Sequence, residues 1–513
     1  MPALKHHVFA HAIAAWGKPF NPRHNKPLIA FAVLVTEARA NAVVTIVTNE
    51  TMYPKIMFEF NKLPEERRKL IQERINVLDI VGTTAHPVLC FPEVDIAFET
   101  LYKQTGTVKC LSSGKVIVAA DLPKPTVAVI DPFANANIQA IRAIAPAEDV
   151  PIFSWLTCDA GGMLYVVGPE KLGGKHNPAT LERVDEEVKA GKHPIQVCQE
   201  MLVTAKGDLL QLPGYPTMYD HEMYPQPSDA PNGFLWREAQ ITTYSTQGTI
   251  NIASSVLEKE TIETLKTYFQ SIGKDYVNIA PMTIIPEPPT SRENNQVVLF
   301  LDKMQTRFGA RSVIYISFGT FFWPDMACLS AILDELVDAQ VPFLLTHPIV
   351  QLPEDLRDKI LKSGIGMDVT WAPQQHVLAH PATGWFLTHG GWNSMQEAFF
   401  HKVPLICWPI SAEQPLNAAL LSIKFKAVFE LIEVRRGEHG TKKPYRCGDG
   451  PAPKFTVDSV REEMRDLLTK LNADEGRVVR ANFESLSDKL AMSWDDGGEA
   501  KEALNEFLNK YLL

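Results

Sequence analysis

The sequence predicts an α/β protein with two doubly wound domains, each built on a parallel sheet with helices on its faces. Residues 7–48 have the pattern strand, helix, strand, and the second strand is a continuous apolar run. Residues 312–345 repeat this order in the second half of the chain. The 513 residues are enough for two domains, each with a hydrophobic core of its own.

The first strand–helix–strand unit consists of a strand at 7–12, a helix at 28–40 and a strand at 42–48. A loop containing glycine, proline and polar residues precedes the helix. Pro27 fits the first turn of this helix, because proline has no backbone N–H to leave unpaired and its φ is already helical. Ligands of such sheets bind in the crevice beyond the strand ends, so this loop is a candidate site.

The remaining first half alternates in the same way, and one of its strands ends in a carboxylate. That strand covers 126–133, and Asp131 stands at its carboxyl end, where a parallel sheet displays functional groups. An aspartate in this position is also a common helix cap. The other predicted elements are helices at 64–75, 179–190 and 256–268 and strands at 151–156 and 246–254.

Five aromatic residues of the first half are candidates for an apolar binding pocket, although each taken alone is better explained as a core residue. They are Phe133, Trp155, Tyr215, Tyr219 and Trp236.

The second half begins after a proline-rich linker at 281–295. A strand at 312–320, a helix at 326–339 and a strand at 341–345 follow. The basic, glycine- and proline-rich stretch 433–453 is predicted to be a surface loop. The chain closes with helices at 458–471 and 477–490 and an amphipathic helix near 502–508.

The most informative stretch is 371–414, where a buried strand at 384–387 leads into a glycine turn and a helix. The turn is Thr388-His389-Gly390-Gly391, and its two glycines let the backbone approach a ligand closely. The helix opens near Trp392. Its unpaired N–H groups and positive dipole end form an anion site at the end of the strand.

Side chains around this anion site match the parts of a nucleoside diphosphate. Asn393 and Ser394 lie in the first turn of the helix, within reach of a phosphate, and Glu397 shares their face one turn deeper. A carboxylate there suits a pair of ribose hydroxyls. Trp371 offers a flat face for a base and Gln374 an amide for a pyrimidine edge. The sequence therefore predicts a nucleotide-diphosphate site.

These residues resemble the donor-site signature of the UDP-dependent glycosyltransferases of small molecules (glycosyltransferase family 1). The chain shows Trp-Ala-Pro-Gln from 371, Gly-Trp-Phe-Leu-Thr-His-Gly-Gly-Trp-Asn-Ser from 384, and later Val-Pro, Trp-Pro and Glu-Gln in the same order. A generic core segment has no need of this pattern. The resemblance covers nearly the whole chain, is closest to the fungal branch of the family, and is loose in the first half.

The resemblance implies the GT-B fold, which has two facing Rossmann-like domains. The boundaries expected from it are an acceptor-binding domain at 1–280 and a linker with the start of the next domain at 281–311. A UDP-sugar-binding domain follows at 312–490, and a C-terminal helix at 491–513 packs back on the first domain.

The resemblance also assigns roles to residues. It implies His24 as the catalytic base and Asp131 as the residue that orients it. Glu413 stands where the family usually has aspartate, and Gln414 favours glucose over galactose. The implied donor-binding residues are Thr320, Trp371, Ala372, Gln374, His389, Gly391, Trp392, Asn393, Ser394, Glu397, Glu413 and Gln414.

The position of the base depends on how the first loop is aligned. The family motif is Gly-His-x-x-Pro, but here Gly17 is followed by Lys18. His24 and Pro27 restore His-x-x-Pro directly before the helix, so 18–23 is interpreted as an insertion. The alternatives are that Lys18 takes the position, although a lysine is mostly protonated at neutral pH, or that His24 is an ordinary surface residue.

The function implied is an inverting transfer of glucose or xylose from a UDP-sugar to a hydroxyl of a small lipophilic acceptor, a terpenoid of secondary metabolism. The acceptor could also be a sterol or a phenol. A second hypothesis is a nucleotide-sugar-binding protein without turnover, which the interrupted motif suggests. GT-B epimerases and glycogen-type synthases lack the 371–414 signature. Neither a metal nor another cofactor is expected beyond the UDP-sugar co-substrate.

Composition fits a cytoplasmic enzyme. The chain is 45% hydrophobic and 21% charged with a net charge of −10, which argues against a nucleic-acid partner. Seven cysteines, an odd number without metal-ligand spacing, favour a reducing compartment. The N-terminus does not have the pattern of a signal peptide, and no apolar run is long enough for a membrane span.

Overall fold

A computed structural model of the chain describes residues 3–12, 25–82, 91–280, 296–320 and 322–512. Lys18 and His24, the two candidates for the base, lie outside the described residues, as does the predicted linker at 281–295.

Strands of the described residues form two large parallel sheets and two small antiparallel pairs. The strands are β1 (His6–His11), β2 (Ala42–Asn49), β3 (Ile75–Val81), β4 (Thr107–Lys109), β5 (Val116–Val118), β6 (Val127–Ile130), β7 (Ile152–Leu156), β8 (Leu209–Leu210), β9 (Met218–Tyr219), β10 (Gly248–Asn251), β11 (Asp275–Asn278), β12 (Val313–Ser317), β13 (Phe343–Thr346), β14 (Gly366–Val369), β15 (Thr383–Thr388), β16 (Leu405–Cys407) and β17 (Phe429–Glu430).

Helices connect these strands, and none that the structure describes has the length and apolar character needed to cross a membrane. The helices are α1 (Asn25–Ala38), α2 (Tyr53–Asn61), α3 (Glu65–Ile71), α4 (Pro92–Lys103), α5 (Asn135–Ile144), α6 (Ala160–Val167), α7 (Pro178–Lys189), α8 (Pro194–Leu202), α9 (Asn232–Ser245), α10 (Ser255–Ser271), α11 (Gln296–Phe308), α12 (Met326–Asp338), α13 (Glu354–Ser363), α14 (Gln374–Ala379), α15 (Trp392–His401), α16 (Gln414–Ala419), α17 (Gly437–Gly440), α18 (Val457–Asn472), α19 (Asp474–Ala491) and α20 (Glu499–Tyr511).

The first compact unit contains a seven-stranded parallel sheet in the order β11-β10-β7-β6-β1-β2-β3. Its central strands are buried on both faces, which explains why β6 is entirely apolar and β2 mostly so. Successive strands are added on one side up to β3 and on the other side from β6. The order therefore reverses between β1 and β6, and in such sheets ligands bind outside the carboxyl ends of strands at this point.

The last helix of the chain, α20, belongs to this first unit. The Phe507 ring packs edge-on against Phe153, with 5.1 Å between the ring centroids. At the start of the helix, Glu499 accepts a hydrogen bond from the Ser255 backbone N–H at 3.1 Å. Apolar packing and a capping contact thus hold the C-terminal segment to the domain in which the chain begins.

The second unit contains a six-stranded parallel sheet in the order β14-β13-β12-β15-β16-β17. Its core is formed by apolar side chains of the strands, α12 and α18. Here the strand order reverses between β12 and β15, so the ligand crevice is expected beyond Ser317 and Thr388. The prediction of two doubly wound α/β domains is confirmed.

The boundary of the second unit differs from the predicted one, because residues 205–230 fold with it instead of with the first domain. Within this segment Glu222 accepts a hydrogen bond from the fully buried Arg435 at 3.1 Å. Gln226 donates to the Val434 carbonyl at 2.8 Å. The stretch 433–453 is therefore not a simple surface loop, since its first residues are buried against this segment.

A buried ion cluster explains why basic residues are found in that stretch. Arg435 also donates to Glu430 at 3.1 Å, and Arg446 donates to the other oxygen of the same carboxylate at 2.5 Å. Burial acts to raise the pKa of Glu430, but Arg446 and Arg435 outweigh it and lower that pKa. With Glu222 the cluster has two positive and two negative side chains, so the buried charges balance.

Glu463 on α18 gives the second unit a pH-dependent stability. Its oxygens accept hydrogen bonds from the backbone N–H groups of Ile432 at 2.8 Å and Glu433 at 3.1 Å. Burial raises the pKa of Glu463 to about 7, from an ordinary value of 4.5. Because the folded-state pKa is the higher one, this group contributes stability below pH 4.5 that is lost as the pH rises through about 7.

We expect the free energy of unfolding of the wild type to fall between about pH 5 and about pH 8 relative to that of Glu463→Gln, which cannot titrate. The difference between the two proteins should change by about 3 kcal/mol across this range. Urea unfolding at both pH values measures it. The loss of one carboxylate oxygen in the variant changes its free energy of unfolding equally at both pH values, so this effect cancels in the comparison. An unchanged difference would contradict the assignment.

Candidate functional site

The turn between β15 and α15 has a backbone that only glycine fits. Gly390 has a φ of 77°, in the left-handed region. A Cβ on Gly391 would lie 2.5 Å from Nε2 of His389, so that imidazole ring excludes any side chain there. His389 itself is fully buried, and its Nδ1 lies 3.2 Å from the Thr388 hydroxyl. The two glycines therefore leave the backbone bare at the start of the helix.

The N-terminus of α15 contacts a carboxylate supplied by another part of the unit. Gly391 is the N-cap residue and no side chain of its own caps the helix. The Trp392 N–H donates to Oε1 of Glu413 at 3.2 Å. A negative group is stabilised at this end of a helix by the unpaired N–H groups and the dipole. The structure thus brings Glu413 and the predicted anion site together.

Glu397 is held one turn deeper by two glutamines. Its Oε2 accepts from Gln374 at 2.7 Å and its Oε1 from Gln375 at 3.5 Å. The Oε1 of Gln374 in turn accepts a hydrogen bond from the Tyr315 hydroxyl at 3.3 Å. The Gln374 side chain thus orients Glu397, and its contact with a pyrimidine edge stays a prediction.

Trp371 follows β14 and Thr320 follows β12, so both lie at the same edge of the sheet as the turn. Trp371 has 65% of its surface exposed, which is unusual for so large an apolar side chain, and leaves a flat face available for stacking. Ala372 beside it is buried. Thr320 follows β12, the strand next to β15, and is half-buried. Asn393 and Ser394 are also half-buried, in the first turn of α15.

Gln414 presents an oriented amide group. Its side chain is fully buried, and its Oε1 accepts hydrogen bonds from the backbone N–H groups of Ile410 at 2.9 Å and Ser411 at 3.0 Å. These two bonds fix which way the amide faces, so its NH₂ group points elsewhere. That nitrogen has no partner among the described residues. A buried donor of this kind is suited to a ligand oxygen.

In the first unit, Asp131 lies where the strand order reverses. Its side chain is fully buried and accepts a hydrogen bond from the Phe133 N–H at 3.0 Å. Its own N–H donates to the His11 carbonyl at 2.9 Å, which ties the ends of β6 and β1 together. His24, the predicted partner of Asp131, lies outside the described residues.

His11 is a titratable residue at this point that the sequence reasoning missed. Its Nδ1 lies 3.0 Å from the Val47 carbonyl, and its side chain is buried. Burial lowers the pKa of His11, while the Val47 carbonyl and the charge of Asp131 act to raise it. The available signal was a histidine at the carboxyl end of a strand.

The five candidate pocket aromatics are divided between the two compact units. Trp155 is fully buried against Phe31, with ring centroids 5.4 Å apart, and Trp236 packs against Tyr165. Both are core residues, which was the favoured interpretation. Tyr215 and Tyr219 lie in the segment that folds with the second unit.

Comparison with known protein families gives a match over residues 253–435 to the family described as "UDP-glucoronosyl and UDP-glucosyl transferase". The matched region contains the strand-end turn and the residues around it. This part of the chain belongs to the UDP-glycosyltransferase family. The predicted family and the prediction of an enzyme are thereby confirmed.

Relatives within this family differ in how much of the chain they match. UDP-glycosyltransferase eriJ of Hericium erinaceus is 27% identical over 99% of this chain and 100% of its own length. Anthocyanidin 3-O-glucosyltransferase UFGT of Vitis vinifera is 38% identical, but over 46% of this chain and 51% of its own. The fungal relative therefore matches both domains, whereas the plant relative matches about half of the chain.

Solved structures of the family show the same fold. The Medicago truncatula UGT71G1 complex with UDP-glucose has a TM-score of 0.67 at 19% identity and covers 99% of this chain and 98% of that one. The Glycyrrhiza uralensis UGT73P12 complex with glycyrrhetinic acid 3-O-monoglucuronide has a TM-score of 0.68 at 17% identity and covers 99% of this chain and 96% of that one. The predicted GT-B fold class is confirmed.

Proposed function

We propose that this glycosyltransferase transfers glucose or xylose from a UDP-sugar, with inversion, to a hydroxyl of a small lipophilic acceptor such as a terpenoid. One observation carries the proposal: Glu413, Gln414 and the bare N-terminus of α15 converge at the edge where β12 and β15 end. That edge is the ligand crevice of a doubly wound sheet.

The residues at this edge of the sheet each bind a different part of the UDP-sugar. The uracil ring stacks on the exposed face of Trp371, and the ribose hydroxyls bind the Glu397 carboxylate, which the two glutamines hold in place. The diphosphate lies at the N-terminus of α15, near Thr320, Asn393 and Ser394. The positive end of the helix dipole and the N–H groups of the first turn stabilise the negative charge of the diphosphate.

The sugar is assigned to Glu413 and Gln414. The Trp392 N–H donates to Oε1 of Glu413. The Oε2 atom of Glu413 accepts no hydrogen bond from the described residues. The NH₂ group of Gln414 has no partner in the part of the chain that the structure describes. One fixed acceptor and one fixed donor suit sugar hydroxyls, because a hydroxyl can both donate and accept. Glucose and xylose share their ring hydroxyl pattern, so these contacts fit both.

The reaction proposed is a direct displacement at the anomeric carbon. His24 takes the proton of the acceptor hydroxyl while the oxygen forms a bond to that carbon, and Asp131 stabilises the imidazolium that results. The bond from the anomeric carbon to UDP breaks on the opposite face, and UDP leaves with the electron pair. The α15 N-terminus stabilises the negative charge that develops on the diphosphate.

A donor screen tests the proposal. The full chain is incubated with UDP-glucose, UDP-xylose or UDP-galactose and a panel of terpenoid, sterol and phenolic alcohols, and products are identified by mass spectrometry. We expect hexosyl or pentosyl products from the first two donors and terpenoid alcohols, with UDP released. Products on sterols or phenols alone would correct the acceptor class. Tight UDP binding without any product would favour a nucleotide-sugar-binding protein.

A further inference from the structure

We propose that Asn417 is a positioning residue for donor binding, which acts by fixing the peptide between Gly390 and Gly391. This inference rests on the proposed donor site and adds a residue that does not itself touch the donor. Asn417 lies on α16 and is buried, with 1% of its surface exposed. Its Nδ2 donates a hydrogen bond to the Gly390 carbonyl oxygen at 3.1 Å.

The two residues that flank this peptide, Gly390 and Gly391, do not fix its orientation by themselves. Both residues of the pair are glycines, and Gly390 has a φ of 77°. Glycine has no Cβ to restrict φ and ψ, so a peptide between two glycines rotates with little steric resistance. The lack of side chains that lets a ligand approach also leaves this peptide free to rotate, unless another group fixes its orientation.

Fixing the carbonyl also fixes an N–H group. A peptide unit is planar and trans, so its C=O and the N–H of the following residue point in opposite directions. Because Asn417 holds the Gly390 carbonyl toward α16, the Gly391 N–H points away from α16. That N–H donates no hydrogen bond to the described residues, whereas the next one, of Trp392, donates to Glu413. Gly391 therefore supplies one of the backbone amides available to the diphosphate.

Helix α16 ties this peptide to the proposed sugar contacts. Gln414 and Asn417 are three residues apart, so they lie on the same face of the helix. Gln414 is anchored through its oxygen to the backbone at Ile410 and Ser411, which holds the first turn of the helix in place. One helix face therefore orients both the amide group assigned to the sugar and the peptide assigned to the diphosphate.

The test compares ligands that do and do not contain phosphate. Asn417→Asp keeps the shape of the side chain but replaces the NH₂ donor with an oxygen, which cannot donate to the Gly390 carbonyl and repels it. We expect its affinity for UDP, measured by calorimetry on the full chain, to fall about five- to twentyfold, as for one lost hydrogen bond. Its affinity for uridine should stay at the wild-type value.

A matched control makes the same chemical change elsewhere in the second unit. The Asn482 Nδ2 donates to the Lys426 carbonyl at 2.9 Å, so Asn482→Asp also replaces an amide-to-carbonyl bond. It should bind UDP and uridine like the wild type. If Asn417→Asp does not fold, Asn417→Ala, which introduces no charge, is measured in the same way.

The outcomes separate this inference from the proposed function. UDP binding by Asn417→Asp at the wild-type affinity would overturn the inference and leave the donor site intact. Equal losses for UDP and uridine would also overturn it, because they would indicate a general structural role. If the wild type itself does not bind UDP, the proposed function is at fault.

Discussion

Replacing His24 with alanine is expected to lower kcat for sugar transfer by about 10²–10⁴-fold while leaving the affinity for UDP unchanged. The imidazole is proposed to remove the acceptor proton, and nothing in the proposed UDP contacts involves it, because those contacts come from the second unit. Initial rates with the best acceptor from the donor screen, together with UDP calorimetry, measure both quantities. In the sequence His24 directly precedes α1, and β1, the strand before it, ends beside Asp131.

Three variants decide whether His24 is correctly assigned. Lys18→Ala should transfer at the wild-type rate, and a loss there with His24→Ala active would show that Lys18 is the family position. Asp131→Asn keeps an oxygen for the Phe133 N–H but removes the charge, so its kcat should also fall. His193→Ala, which removes an exposed histidine, should be unaffected.

Replacing Arg435 with methionine is expected to destabilise the second unit by about 3–5 kcal/mol, because it leaves two buried carboxylates without their shared partner. Arg435 donates to Glu222 and Glu430, and all three side chains are 1% exposed. The methionine fills a similar volume but carries no charge. Urea unfolding followed by tryptophan fluorescence measures the change, and limited proteolysis should show faster cleavage within 205–230.

An exposed ion pair serves as the control for this prediction. Lys454 and Glu462 form a pair whose side chains are 67% and 60% exposed. Lys454→Met should change the free energy of unfolding by less than about 1 kcal/mol, because water screens such charges. A similarly small effect of Arg435→Met would mean that the buried cluster does not hold the 205–230 segment in place. Adding Glu222→Gln to Arg435→Met should recover part of the loss.

The sequence made the strands and the central turn predictable because both depend on neighbouring residues. The buried strands β1, β2 and β12 each contain an apolar run, and their observed bounds differ from the predicted ones by at most three residues. The two glycines after His389 predict a turn whose backbone a ligand can approach closely, and the left-handed φ of Gly390 agrees with this prediction. Hydrophobic periodicity and steric requirements depend on residues that are close together in the sequence, so a local pattern predicts them.

Contacts between residues far apart in sequence could not be read in this way. Arg435 looked like part of a surface loop because its partner Glu222 precedes it by 213 positions. The place of 205–230 in the second unit follows from the same pairing. His11 came beside Asp131 through the order of the strands, which no local pattern specifies.

By itself, the sequence determined the class of fold, the family and the types of residue at the donor edge. Only the tertiary structure decided how those residues are used: that Glu413 contacts the Trp392 amide, that Gln414 offers its NH₂ group, and that Asn417 holds the Gly390 carbonyl. The physical reason is that a side chain's chemistry is fixed by its identity, whereas the direction of a hydrogen bond depends on where the fold places its partner.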